Sequence, residues 1–393
     1  MNDPVPIARY PMRREDPLQP PFAYARLRER GPVALAELGG RPGANVWLIT
    51  RYNEAKQVLA DTRFSSDFRR PGFPVKRSPG GLIRMDPPEH TRYRRMLNAE
   101  FSERRMAELQ PIVQQLTDDL LDKIAAALGP VDLVPTLAVP LPSLVICKIL
   151  GVPYEDREFL QERTALALSV QASQSEVNQA KNELGRYMDE LLRYKRSDRG
   201  EDLLTRLVSN HVEPGACSME TAADLARLLF VSGHFTTVSM IGIGILTLLQ
   251  YSEQWRRLRQ QPDMIGPAVE ELIRYHAIAA TVVRVATDDI EVGGAIIRSG
   301  EGVMVLLSSA NRDRLAFERP DTFDINRSDG RHIAFGWGPH MCIGAALARL
   351  ELRTVYASVI RRFPGLKLAV ELKDIPFKEK GLIYGVHALP VVW

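Results

Sequence analysis

The chain is poor in cysteine and carries almost no excess charge. Only Cys147, Cys217 and Cys342 occur in 393 residues. They lie far apart, so they form no disulfide framework and no Cys-x-x-Cys metal pattern. A reducing cytosol is the compartment this suggests. Lys plus Arg number 51 against 48 Asp plus Glu, a formal net charge of +3. That balance is too even to argue for nucleic acid as a partner, and it leaves room for a local basic patch. The opening MNDPVPIARYPMRRE lacks the apolar run and cleavage-like site of a secretory leader. No internal repeat and no low-complexity linker is visible. No Gly-x-Gly-x-x-Gly follows a strand pattern, because Gly-Ile-Gly at 242–244 falls in an apolar helix. A flavin or nicotinamide module is therefore not expected.

One further absence is local. From Leu228 to Tyr251 there is no Asp, Glu, Lys or Arg. The stretch is long enough to cross a bilayer. It also carries Ser232, His234, Thr236, Thr237, Ser239 and Thr247, with glycines at 233, 242 and 244. Charged, amphipathic segments flank it. A helix buried through the middle of a large soluble domain fits better than a membrane span.

The remaining pattern is mixed. VALAEL (33–38) and NVWLIT (45–50) read as a short β-pair, and 53–61 as a helix. Residues 65–84 are rich in Pro, Gly and Arg and read as a long loop. From about 88 to 275 the apolar spacing is helical, with segments at 89–102, 106–128, 175–197, 219–251 and 266–277. Strands return at 281–287 and 289–307, joined by Gly-Gly and Ser-Gly turns. A strong amphipathic helix follows at 343–363, and the C-terminus reads as strand pieces, LKLAV and LPVVW. The early and late β-segments are expected to pair with one another. The expected fold is one domain over 1–393, mainly α with a smaller β part. Its β-rich part is 30–52 and 281–307 plus the C-terminus, and its helical part 88–275 and 343–363.

Residues 335–344, FGWGPHMCIG, place a cysteine among glycines just before that last helix. A thiolate there gains from the helix dipole and from free backbone N–H groups. Such a thiolate can ligate haem iron. Taken alone, Cys342 reads rather as a small buried core residue, the usual place of a free cysteine. The pattern Phe335, Gly336, Gly338, His340, Cys342, Gly344 resembles the signature loop of the cytochrome P-450 superfamily. Six such positions match by chance on the order of once in a million chains.

The resemblance runs from about residue 10 to 393. It implies the P-450 fold, with haem b (iron protoporphyrin IX) between a long central helix and the Cys-bearing loop, and Cys342 as the metal ligand. Glu271 and Arg274 match the family's Glu-x-x-Arg pair, one turn apart on a helix. Arg327 matches the third member of that structural triad. By the same likeness His90, Arg94, Arg284 and His340 hold the haem propionates. Buried carboxylates need such cationic partners.

The resemblance also gives meaning to VSGHFTT, 231–237. The family's central helix carries Gly-x-acid-Thr there. The glycine lets oxygen and water approach, the threonine hydroxyl hydrogen-bonds dioxygen, and the acid relays protons. Gly233 and Thr236 match, and Thr237 follows. The acid's position is Phe235, whose ring carries no proton. Three readings stand. Protons arrive through Thr236, Thr237, Ser232, His234 or water; or Phe235 shapes the pocket and the outcome is coupling, desaturation or rearrangement; or the ring merely packs.

The implied activity is a monooxygenase, with electrons from an external ferredoxin or flavodoxin and an NAD(P)H-dependent reductase. Arg92, Arg95, Arg104 and Arg105 lie on segments that would face such an acidic partner. The expected pocket residues are Leu82, Val231, Phe235, Val282, Val283 and Ile383. They come from the loop 65–84, the region 165–180, 278–283 and 382–386. Their apolar character fits a medium-sized, greasy small molecule of secondary metabolism. A peroxide-driven peroxygenase and a non-catalytic haem sensor are the rival readings. No nucleic acid and no membrane is expected as a partner, and the cytoplasm is the expected location.

Overall fold

Strands and helices form where the two periodicities place them. The computed structural model describes residues 8–39, 41, 43–75, 81–168, 172–197, 200–328, 331–379 and 383–393. Its strands are β1 (Ala8–Tyr10), β2 (Val33–Leu38), β3 (Asn45–Ile49), β4 (Phe64–Ser65), β5 (Val131–Asp132), β6 (Thr281–Ala286), β7 (Ile290–Val292), β8 (Ala295–Ile297), β9 (Gly302–Leu306), β10 (Lys367–Leu368) and β11 (Pro390–Val392). Its helices are α1 (Phe22–Arg30), α2 (Tyr52–Ala60), α3 (Glu89–Asn98), α4 (Glu103–Ala125), α5 (Pro140–Leu150), α6 (Arg157–Leu168), α7 (Gln174–Ser197), α8 (Leu203–Leu207), α9 (Met219–Gln250), α10 (Ser252–Gln260), α11 (Ile265–His276), α12 (Leu307–Ala310) and α13 (Ala345–Arg362). The mainly helical class is as the sequence implies. Of the expected substrate segments, residues 76–80, 169–171 and 382 lie outside the described residues.

The chain divides into two compact units. The first takes the described residues within 1–79, 83–91 and 266–343. Its sheet has the order β1-β2-β3-β9-β6-β4. The early pair β2–β3 is antiparallel, with Val33 opposite Ile49, and β3 runs parallel to the late strand β9. Early and late β-segments thus do share one sheet. Its apolar face buries Ala36, Val46, Leu48, Val285 and Leu306. The Gly-Gly turn joins β7 to β8, with Gly293 at φ +57 and Gly294 at φ +81. Both values belong to the hairpin turn that suits twisted strands, and only glycine adopts them without strain.

The C-terminal strands do not join that sheet. In the second unit, the described residues within 80–82, 92–265 and 344–393, β11 pairs with both β10 and β5. Their partner β5 is only two residues long, too short for a periodicity to reveal it in the sequence. Helix α9 runs through this unit and packs on α5, α7 and α13. Ser218 caps it, accepting from the Thr221 N–H at 3.1 Å. It is long and apolar enough to cross a membrane, yet most of its apolar window is buried inside the protein, as a core helix requires. At Gly244 a Cβ would lie 2.0 Å from Tyr356 Oη. The glycine lets Tyr356 of α13 lie on α9 and donate to Met240 O at 2.5 Å.

Two buried glutamates, one in each unit, are differently satisfied. In the first, Glu271 accepts from Arg274 Nε at 2.7 Å and Nη2 at 2.9 Å, and from Arg327 Nε at 3.0 Å. Replacing Glu271 by Ala leaves two guanidiniums without their carboxylate. We expect it to cost about 3–5 kcal/mol, read from urea unfolding. In the second unit, Glu351 of α13 is buried, and its Oε2 has no hydrogen-bond partner among the described residues. Burial pushes its carboxyl from the ordinary 4.5 up to about 8. The unfolded chain ionises first, so stability is full below about pH 4.5 and falls as pH rises towards about 8. In Glu351→Gln that decline is absent, and the variant is the more stable protein at pH 8, as urea midpoints measured across the range will show.

Candidate haem and oxygen-activating site

The loop around Cys342 is shaped by glycine. Gly336 and Gly338 have φ of +75 and +70. A Cβ on Gly338 would lie 2.6 Å from Leu59 O of α2, so the loop reaches the helix backbone only with glycine there. Three backbone bonds close it: Gly336 N to Ile333 O at 2.9 Å, Met341 N to Gly338 O at 3.1 Å, and Cys342 N to Phe335 O at 2.8 Å. Helix α13 then starts at Ala345, with Gly344 as its N-cap at an ordinary negative φ. Cys342 is exposed, whereas Cys147 and Cys217 are buried. Burial pushes the Cys147 thiol up to about 12 and raises that of Cys217, so neither is a ready thiolate.

Cationic side chains gather in the same unit. The His90 and His340 rings stack with centroids 3.9 Å apart, and His340 Nε2 lies 3.3 Å from Ser66 Oγ. Arg284 is buried on β6. Its hydrogen bond goes to Val283 O at 2.8 Å, and no carboxylate lies within ion-pair distance among the described residues. Burial, with Arg84 adding repulsion, brings its guanidinium down to about 10. Asp86 lies near, but it is taken up by Ser65 Oγ, by the Ser66 N–H at 2.8 Å, and by Arg70 at 3.7 Å. Arg284, His340 and Asp86 line one cleft. A buried guanidinium without an anion is costly. This donor set fits a group bearing two carboxylates, as haem does. Arg94, farther along α3, donates from Nε to Asn98 Oδ1 at 3.0 Å. Arg84, Asp86 and Ser66 escaped the sequence reading. Arg84 and Asp86 lie just before His90, but nothing in a sequence marks them as half-buried beside Arg284.

In the second unit, α9 presents two unlike faces. His234 is buried, its ring edge-on to Phe235 at 4.8 Å and parallel to Phe230 at 6.4 Å. Burial, with Lys378 adding to it, pushes its imidazole down to about 4, so it is neutral at pH 7. Thr237 is also buried, its hydroxyl 3.3 Å from Gly233 O. The opposite face carries exposed Ser232 and half-buried Thr236, whose hydroxyl donates to Ser232 O at 2.9 Å. Gly233 is half-buried on α9. A Cβ there would lie 3.1 Å from Ile146 Cδ1 of α5. Its lack of a side chain lets α9 and α5 pack closely there.

The remaining candidates are placed as follows. Val282 and Val283 are neighbours on β6, Val283 buried and Val282 half-buried. Leu82 is buried, and Val231, Phe235 and Ile383 are half-buried in the second unit. Of the four arginines read as a docking surface, Arg104 and Arg105 pair with Glu108 at 3.8 Å and 2.6 Å. Arg92 donates to Ala216 O. Arg95 is exposed in the last turn of α3.

Known proteins resemble this chain over nearly its whole length. The cytochrome P-450 family model matches residues 17–180 and 166–384. The chain is 42% identical to cytochrome P-450-SU2 of Streptomyces griseolus, over 99% of this chain and 96% of that one. It is 40% identical to pentalenic acid synthase of Streptomyces avermitilis, over 99% and 98%. The crystal structure of the mycinamicin VIII C21 methyl hydroxylase MycCI from Micromonospora griseorubida, bound to mycinamicin VIII, superposes with a TM-score of 0.92 at 37% identity. That match covers 98% of this chain and all of the other. The chain belongs to the cytochrome P-450 family, whose members bind protohaem, and is a monooxygenase.

Proposed function

We propose that the protein oxidises a medium-sized, largely apolar small molecule of secondary metabolism at a haem whose iron is held by Cys342. The observation that carries this is the exposed Cys342 in a glycine-shaped loop, in the same unit as a buried Arg284 that has no carboxylate partner among the described residues. Arg284, His90 and His340, with Arg94, would hold the propionates. The Thr236 hydroxyl would turn from Ser232 O to hydrogen-bond dioxygen. The bound group supplies the oxidising chemistry, while the protein supplies ligand, orientation and a proton route. The relatives' names support the substrate class: one acts as pentalenic acid synthase, another hydroxylates a methyl group of mycinamicin VIII. Leu82, Val231, Phe235, Val282, Val283 and Ile383 are the residues proposed to select it. Ferredoxin or flavodoxin, with an NAD(P)H-dependent reductase, would deliver electrons in the cytoplasm, with Arg95 in the docking surface. The phenyl ring at position 235 favours a second outcome from the same centre, coupling, desaturation or rearrangement, and keeps peroxide-driven turnover open. Product formed with peroxide and no reductase would identify the latter.

The test is an ultraviolet–visible titration of the ferric protein against natural-product scaffolds. A Soret shift from low to high spin identifies the substrate class. Cys342→Ser should abolish the thiolate Soret position while the far-ultraviolet circular dichroism is unchanged. A variant that keeps the thiolate band refutes the ligand assignment.

A further inference from the structure

The segment that carries Ile383 brings a lysine to α9. Phe377 and Val386 pair across it, and the Lys378 N–H donates to Gly385 O at 2.9 Å. The segment is seated on the helix at two points. A Cβ on Gly385 would lie 2.8 Å from Ser239 Cβ, and one on Gly242 would lie 2.9 Å from Val386 Cγ2. There the half-buried Lys378 reaches Ser239 Oγ with Nζ at 3.5 Å. That long contact is the ammonium's one hydrogen bond among the described residues, and no carboxylate lies within ion-pair distance of it among them. Burial lowers the pKa of the ammonium from its ordinary value, and its charge in turn presses down the imidazoles of His234 and His387. The haem would not supply the missing anion, since its propionates are assigned to Arg284, His90 and His340. A half-buried cation held only by a hydroxyl is incompletely compensated.

Beside the lysine runs a row of α9 that includes two of the residues proposed to select the substrate. Val231, Phe235 and Ser239 follow one another at intervals of four, so they share one side of the helix. Val231 and Phe235 are apolar and half-buried, and Ser239 ends the row at Lys378. An acid at position 235 would stand one turn from Ser239, within reach of the ammonium. This chain has a phenyl ring there, so the protein itself supplies no counter-charge. We propose that the substrate brings it: Lys378 is a specificity-determining residue that holds a carboxylate group of the substrate, whose apolar body lies along Val231 and Phe235 and against Ile383. The proposal rests on the haem-monooxygenase reading above and narrows its substrate to an apolar carboxylic acid. A charge-assisted bond to a partly desolvated ammonium is stronger than the same bond in open water.

The test is a Soret titration of the ferric, haem-loaded protein with dodecanoic acid and abietic acid, each beside its own methyl ester. The ester keeps the apolar body and removes the charge. Each acid should bind about tenfold more tightly than its ester, or better, as a hydrogen bond to a charged group gives. Lys378→Met should erase that preference with the far-ultraviolet circular dichroism unchanged, and Lys378→Arg should keep it. Phe235→Glu should erase it too, because the new carboxylate occupies the lysine; Phe235→Leu adds no charge and should not. The ratio of acid to ester is the readout, since a merely structural lysine would move both alike. Esters that bind as well as the acids, or a preference that survives Lys378→Met, overturn the proposal while the thiolate band stands. So does a thiolate-bearing protein that takes up neither acid. A wild-type haem protein with no thiolate band overturns the functional reading itself.

Discussion

The carboxylate of Glu271 is the point on which the first unit depends. The described residues within 311–342 contain almost no regular secondary structure, so their backbone polar groups must be satisfied some other way. Arginines do it. Arg274, held by Glu271, donates to Asn311 O at 2.7 Å and Pro320 O at 2.9 Å. Arg327, held by the same carboxylate, donates to Glu318 O, Arg319 O and Thr322 O at 2.6, 3.2 and 3.1 Å. Glu271 itself accepts from the Asp324 N–H at 3.0 Å. The pinned Asn311 then accepts from Ile333 N at 2.8 Å, and Ile333 O receives Gly336 N. The Cys342 loop begins there. A single acid on α11 therefore governs, through guanidiniums, where an irregular segment presents its cysteine.

The second unit solves a different problem. Its central helix must be apolar to be buried and polar where chemistry is to happen. Helix α9 resolves this by face. Glycines at 233, 242 and 244 admit Ile146, Val386 and Tyr356, so that the buried side packs closely. The hydroxyls at 232 and 236 lie on the accessible side. The missing acid is thus a local change on a helix whose two-sided design is intact, and the ring that replaces it packs edge-on against His234.

Some residue types carried their meaning in their order along the chain. The loop Phe335–Gly344 was legible because it joins glycines, histidine and cysteine at fixed spacing. Glu271 and Arg274 were legible because helical spacing puts them one turn apart. Arg284, by contrast, is one arginine among many until the sheet buries it on β6. Gly233 was legible as a glycine but not for what it clears, because Ile146 is distant in sequence. The C-terminal strands were legible as strands, yet their partner β5 is too short to show a pattern.

By itself the sequence determined the class: mainly helical, haem-binding, with Cys342 singled out by its neighbours. Periodicity and motif spacing are local properties, and they survive in a string of letters. Only the tertiary structure decided which cysteines are buried, which guanidinium lacks a carboxylate, and which hydroxyls of α9 share a face. Those depend on what distant segments bring into contact, and a protonation state or an open face exists only once the surrounding side chains exclude water.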